Sequence, residues 1–444
     1  MSAALARVEE ARARILASIG GPLEAEAVPI EAAAGRVLAI AVVAAISLPP
    51  WDNSAMDGYA VRAADVTTAR EDGPVRLAVT GEVAAGGATT GAVEPGVAIR
   101  IATGAPLPAG ADAVVPVEAT TPVDAAGKTG TRGRDATGPL PTAALVHEPA
   151  APGANIRRAG SDVVAGEIVV DSGREITPQA IAVIAGSGTA IVLVHRRPRL
   201  AVLATGDEVQ PAGGELGPAA IPDANGPGLR ALGVAAGAEI LDLGIARDDL
   251  ADVTARLRAA IDAGVDAIVV SGGVSVGPFD VVKLAFESIG HVDLWRVAVQ
   301  PGKPFAFGTA DRPRGGPAIL LFGLPGNPVS SFVTFELFVR PALRRLAGYR
   351  RLLRPIDRGV LLDAAPKSPG RRAYLRVAAE RDAYDAPARD AQGRVRLHLA
   401  RGPAGQGSHV LSALAAADGL AVVAEEVSVH PAGGEVELWW LEPA

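Results

Sequence analysis

The sequence contains no cysteine, which excludes a disulfide framework, a thiolate metal site and a cysteine nucleophile. Aromatic residues are only 4% of the chain although 49% is hydrophobic, so alanine and valine carry the apolar count. No apolar run is long enough for a membrane. The longest, 37–48, falls short of the roughly 20 residues that span a bilayer and ends in Pro49-Pro50. The N-terminus lacks the basic, apolar and small-residue order of an export signal, so a cytoplasmic location is expected. Histidine is sparse: His147, His195, His291, His398, His409 and His430 show no pair at zinc-ligand spacing. A net charge of −7 argues against a general nucleic-acid binder. It leaves room for local anion binding through backbone N–H groups and a few placed cations.

At 444 residues the chain exceeds a single core, which stops growing at roughly 250–300 residues, so several domains are expected. Residues 2–19 have helical apolar spacing, and 22–48 reads as short strands. Glycine-rich residues 75–118 carry β-type runs at 75–79, 97–101 and 113–117, which predict a small β domain. Residues 121–142, rich in Gly, Ala, Thr and Pro without periodicity, read as a mobile loop. From about 177 to 348 apolar runs at 199–205, 239–245, 267–270, 294–299 and 318–322 alternate with helical stretches near 225–236, 249–263, 279–289 and 329–347. That alternation predicts a parallel, doubly wound α/β sheet. From about 350 short β-type runs return.

In an open α/β sheet, ligands bind beyond the carboxyl ends of the strands. The polar and glycine-rich segments fall there: Thr205-Gly206-Asp207-Glu208, Asp248-Asp249, Ser271 to Gly277, Gln300 to Pro304, and Leu324 to Ser331. Gly272, Gly273 and Gly277, with Ser271 and Ser275, let backbone N–H groups approach an anion; a tight turn uses the same glycines. Asp280 suits a helix cap or a magnesium ion, and Lys283, three residues on, suits a phosphate or plain solvent. Lys303 sits between Gly302 and Pro304, but a P-loop is excluded because Pro304 replaces the required Ser or Thr. Asn327 and Pro328 suit a helix start, and with Gly326 and Ser330 they would present N–H groups to an oxyanion. Asp207, Glu208 and Asp248 share the same edge and suit a hard cation, or helix caps and surface charge; Glu208 and Asp248 also suit the N–H donors of a pterin ring.

These motifs resemble those of the molybdopterin molybdenumtransferases, the MoeA proteins and the matching C-terminal part of gephyrin. The resemblance covers Gly35 to Ala39, Leu48-Pro49-Pro50 with Asp52 to Ala60, Arg100 to Ala105 and Pro152 to Arg158. It continues through Thr205 to Glu208, Ser271 to Asp280, Pro301 to Phe305 and Gly323 to Ser330. It implies a multi-domain α/β plus β architecture. A three-layer α/β domain with a parallel sheet (177–348) would be joined by small β-rich domains and a C-terminal β-barrel-like domain (349–444). Residues 1–46 and 147–176 would form a linker domain around a second, β-rich domain at 47–146.

The resemblance also implies a site completed across a homodimer. Asp57, Thr103 and Asp162 match positions outside the α/β domain; Glu208, Asp248, Asp280, Lys303 and Ser330 match positions inside it. Arg371 and Ser408 match residues that approach molybdate. Arg296 preserves a cation found in relatives as lysine, whereas Gln300 loses one. The reaction implied is insertion of molybdate into adenylated molybdopterin with release of AMP, aided by magnesium on Asp280 and Asp248. A molybdopterin adenylyltransferase would be the functional partner. The alternatives are that adenylyltransfer itself, or a non-enzymatic gephyrin-like scaffold.

Overall fold

The computed structural model describes residues 5–88, 91–134, 138–273 and 281–441. Helix Val8–Ala17 turns Val8, Ala11 and Ile15 inward, against the core of the α/β layer. Strand Ala25–Pro29 then pairs with Ile191–His195, and Val42–Val43 pairs with Ile168–Val170. Residues 25–43 and 168–195 therefore make one unit, with the intervening chain inserted into it. Its small core includes Ile30, Leu38, Ile184 and Val194.

The insertion is a six-stranded sheet in the order Ala113–Pro116, Gly58–Val61, Val97–Ile101, Val75–Val83, Ala143–Val146, Thr120–Val123. Parts of the 121–142 segment are bonded to other elements. Its first residues join strand Thr120–Val123, opposite Ala143–Val146. Further along, Arg132 pairs with Glu71 at 2.6 Å and Glu148 at 3.0 Å. The Gly138 carbonyl accepts from Arg100 at 2.9 Å. These contacts with distant residues are invisible in local composition.

The α/β sheet runs Glu239–Ala246, Arg199–Thr205, Ala267–Ser271, Ile319–Leu324, Pro304–Ala310, His291–Arg296. The first four strands are mutually parallel. Along Arg199–Thr205, Leu200 and Val202 enter one core while Ala201 and Leu203 enter another. Successive side chains point to opposite faces, so a strand apolar on both faces needs helices on both, giving three layers. Strand Pro304–Ala310 was absent from the sequence reading and runs antiparallel to both neighbours. The predicted strand 294–299 divides: His291–Arg296 stays in this sheet, whereas Val299–Gln300 pairs with Arg372–Ala379 of the C-terminal domain.

The predicted 329–347 helix is Pro328–Thr334, a π-helical turn Phe335–Val339, and Arg340–Leu346. Pro341 removes a backbone donor here, a recognised cause of such a break. In the C-terminal region Arg372–Ala379, Val395–Leu399, Ile356–Leu361, Gly434–Trp440 and Gly419–Val423 close into a five-stranded barrel.

Candidate active site

The chain leaves strand Arg199–Thr205 toward Glu239–Ala246 on one side and later returns to Ala267–Ser271 on the other. This is the switch in strand order where α/β sheets open a crevice. A cleft of about 740 Å³ lies there, lined by Glu208, Asp248, Ser271, Gly272, Gly273, Pro304, Gly326, Asn327 and Ser330. A larger hollow of about 1010 Å³ adjoins it across the Gly206–Gln210 turn and holds the Arg230–Asp242 ion pair. It lacks the glycine loops, so the chemistry is assigned to the smaller cleft.

Two glycine loops meet in that cleft. Gly272 has φ +94°, and a Cβ there would lie 2.4 Å from the Thr205 carbonyl oxygen. A Cβ on Gly326 would lie 3.7 Å from the Gly272 Cα, so the loops are in contact. The Ser271 hydroxyl is buried without a hydrogen-bond partner among the described residues, and Ser271 is 1% exposed. An orphaned buried hydroxyl is costly unless a ligand satisfies it.

The Leu324–Ser331 segment starts a helix, as expected, but Asn327 does not cap it with its side chain. Its Nδ2 instead donates to the Ser408 hydroxyl at 3.1 Å, and the Val329 N–H donates to the Ser408 carbonyl at 3.3 Å. The barrel therefore occupies one of the N–H groups expected to serve an anion. Ser408 is joined to the site without lining it.

On the acidic side, the Asp248 N–H donates to Asp207 Oδ1 at 3.3 Å. Burial, and then the charges of Asp207 and Glu208, push the Asp248 carboxyl above the ordinary aspartate range. Asp249 caps the following helix, accepting from the Asp252 N–H at 2.9 Å. Ser275, Gly277 and Asp280 lie outside the described residues, so the Asp280 magnesium site is not formed within them. Among the described residues no three metal-ligating side chains gather.

Lys283, Arg296, Lys303 and Arg371, the expected cations, do not line the cleft. Arg296 lies opposite Pro304 in the sheet register, with its Nε buried and unpartnered among the described residues. The Lys303 side chain is exposed, and the Lys303 carbonyl accepts from the Val297 N–H at 3.4 Å. Arg371 immediately precedes strand Arg372–Ala379, which pairs with Val299–Gln300. Gln300 is engaged elsewhere, accepting from the Ser368 N–H at 3.1 Å. Lys283 forms an ion pair with Glu287 at 3.7 Å on its own helix.

Asp57, Thr103 and Asp162 do not line this cleft. Asp57 accepts from both the N–H and the hydroxyl of Thr103, and the Asp162 N–H donates to the Leu48 carbonyl at 3.0 Å. The sequence reading missed Asp223, Asn225 and His409, which also line the cleft. Asn225 donates to the Gly326 carbonyl at 2.7 Å, bridging two loops. The helix-start pattern Asp223-Ala-Asn225-Gly-Pro227 was the available signal.

Three family models match the chain. The MoeA N-terminal region (domain I and II) matches residues 6–188, a probable molybdopterin binding domain 201–345, and the MoeA C-terminal region (domain IV) 358–441. A Mycobacterium tuberculosis protein named molybdopterin molybdenumtransferase 2 is 40% identical over 93% of this chain and 94% of its own length. A Haemophilus influenzae molybdopterin molybdenumtransferase is 35% identical over 78% of this chain and 79% of its own. The crystal structure of a molybdopterin biosynthesis MoeA protein from Pyrococcus horikosii superposes with a TM-score of 0.77 at 30% identity. It covers 99% of this chain and 100% of that one.

Proposed function

The chain belongs to the MoeA family of molybdopterin molybdenumtransferases, and we propose on that premise that it inserts molybdate into adenylated molybdopterin with release of AMP. It is a transferase of molybdenum-cofactor biosynthesis. The observation carrying the mechanistic reading is the meeting of two glycine loops over the orphaned Ser271 hydroxyl at the strand-order switch. Such a place suits the phosphate end of a pterin substrate, since glycine lets backbone N–H groups come close. Glu208 and Asp248 would accept from pterin N–H donors, while Ser330 and Pro304 bound the side nearest the cations.

Lys303, Arg296 and Arg371 would bind the tetrahedral molybdate dianion and hold it near the dithiolate. Positioning and charge neutralisation then do much of the work, and no general base is required of the protein. Magnesium on Asp248 and Asp280 belongs to this reading. Burial first, and then the charges of Asp207 and Glu208, raise the Asp248 carboxyl, and a divalent cation at Asp248 would relieve the second of these, which supports the reading. Bound there, the ion would offset charge on the phosphates.

A homodimer with a shared site also belongs to the proposal. Asp57 and Thr103 line no part of their own chain's cleft, which supports a role in a neighbour's. Val43 and Ile168, facing partners in register, are 49% and 59% exposed and give a second copy an apolar surface to cover. No helix among the described residues is long and apolar enough to cross a membrane. A cytoplasmic site of action, and delivery of substrate by a molybdopterin adenylyltransferase, complete the reading.

The test is AMP release from adenylated molybdopterin, with magnesium, with and without molybdate, in the parent chain and in Lys303→Ala. Molybdate-dependent release that Lys303→Ala abolishes is expected. No release, with ATP consumed on bare molybdopterin instead, would move the activity one step upstream.

A further inference from the structure

Arg376, on strand Arg372–Ala379, is 1% exposed and has no carboxylate partner among the described residues. Its neighbours Leu375 and Val377 enter the barrel core, so its own side chain lies on the opposite face of the strand. A buried guanidinium without a counter-ion is expensive, because its hydration is lost and no opposite charge replaces it. Burial alone pushes its pKa down to about 10, so the group stays charged at neutral pH. Its two terminal nitrogens donate to backbone carbonyls, while Nε finds no partner among the described residues. Nη2 donates to Gly405 at 3.0 Å and Gly407 at 3.2 Å, and Nη1 to Tyr374 at 3.4 Å. Two of these carbonyls belong to one short turn.

That turn is held a second time. The Arg376 N–H donates to Gln406 Oε1 at 2.9 Å, and Gln406 Nε2 donates to the Arg376 carbonyl at 3.0 Å. Gly405 sits so close to the chain before it that a Cβ would lie 2.2 Å from the Ala400 carbonyl oxygen. The next residues leave the barrel for the cleft. Ser408 takes the Asn327 amide and the Val329 N–H, and His409 and Leu411 line the cavity.

We infer that Arg376 is a positioning residue for the active site, fixing the Gly405–Ser408 turn so that Ser408 and His409 are held against the Asn327–Ser330 helix start. The inference deepens the proposed function and rests on that reading for its kinetic consequence. A planar fork with several donors grips two carbonyls of one turn, which a lysine point charge does less well.

The experiment compares the parent, Arg376→Met, Ser408→Ala and the double variant in the full chain. Arg376→Met removes the fork while keeping apolar bulk. Amide exchange at 404–410 and at Val329 should quicken by about tenfold or more, because local opening becomes easier. In molybdate-dependent AMP release, kcat/KM should fall about tenfold in either single variant. The double variant should be no worse than the poorer single one, since residues acting through one contact are not additive. Unchanged exchange in Arg376→Met, or losses that multiply in the double variant, would overturn the inference. Should Arg376→Met fail to fold, Gln406→Ala loosens the same turn without touching the buried charge and must show the same exchange and the same non-additivity. If the parent releases no AMP, the functional reading fails, while exchange at Val329 still decides whether Arg376 holds the turn.

Discussion

Thr103 donates both its backbone N–H, at 2.7 Å, and its hydroxyl, at 3.0 Å, to one carboxylate oxygen, Oδ1 of Asp57. Hydrogen bonds to an ionised acceptor are short and strong, so this pair fixes the carboxylate at the edge of the β-rich insertion. Asp57→Ala and Lys303→Ala chains should each lose molybdate-dependent AMP release. Unfolded together and refolded as mixed dimers, they should recover about a quarter of the parental rate, because random pairing leaves that share of sites intact. Absence of recovery would mean that Asp57 serves its own chain.

The Asp248 carboxyl titrates above its ordinary range through burial first, then through the charges of Asp207 and Glu208. A raised native pKa means that its stabilising contribution is full below the unfolded value, near 3.9, and is lost as pH rises through the native value. At neutral pH the ionised group therefore costs stability. Asp207→Asn should lower the Asp248 pKa in a carboxyl-carbon NMR titration, though not to the ordinary value, since burial remains. Magnesium should raise the melting temperature of the parent at pH 7 more than that of Asp248→Asn. Equal magnesium responses would count against the metal at this position.

The α/β layer was legible because its strands are apolar on both faces. Val202, Leu203, Val269 and Val270 are each 1% exposed or less, and a continuous apolar run closed by Thr-Gly or Ser-Gly-Gly allows few other readings. Strand Pro304–Ala310 was not legible. It opens on a proline beside Gly302-Lys303, which favours reading a loop, and its pairing partners are supplied by the fold. The glycine loops of the cleft could be read locally because close backbone approach demands glycine. The contacts that hold them could not: Asn327 and Ser408 are 81 residues apart, and Asn225 and Gly326 are 101 apart. Nothing near either residue announces its partner.

Asp266 is the buried centre of a three-arginine cluster. Its carboxylate accepts from Arg196 at 2.6 and 2.9 Å, from the Arg199 N–H at 2.8 Å, and from Arg312 at 2.5 Å. Arg196 also pairs with Glu24, which ties the linker unit to the α/β sheet. Burial acts to raise the Asp266 pKa, but the Arg196 and Arg199 hydrogen bonds outweigh it and hold the group below its usual range. A depressed native pKa contributes stability that is present above the unfolded value and is lost as pH falls through the native one. Asp266→Asn should destabilise the α/β domain by about 3 kcal/mol at pH 7, the cost of stranding buried cations. The gap between parent and variant in urea melts should narrow below about pH 4. A pH-independent gap would mean that packing, not charge, is what the substitution removes.

Gly272 offers the most direct test of where the substrate lies. Its φ of +94° already disfavours any side chain, and a Cβ would meet the Thr205 carbonyl oxygen at 2.4 Å and the Thr205 hydroxyl at 2.8 Å. Backbone cannot rotate away as a flexible side chain would, so alanine must push the loop off the end of strand Arg199–Thr205. The displaced loop would move toward Gly326 or into the cleft, and either shift spoils the surface the two glycines form together. A misplacement of about 1 Å costs on the order of a hundredfold in rate, so Gly272→Ala should lose about that much kcat/KM in AMP release. Gly393→Ala is the matched control. Gly393 has φ +75° with nothing within 4 Å of a Cβ, so it carries the same backbone strain without the clash. It should melt about as much lower as strain of roughly 1 kcal/mol dictates and keep its rate within about twofold. If Gly272→Ala behaves like Gly393→Ala, the loop does not touch the substrate, and the phosphate end must be sought elsewhere along the sheet edge.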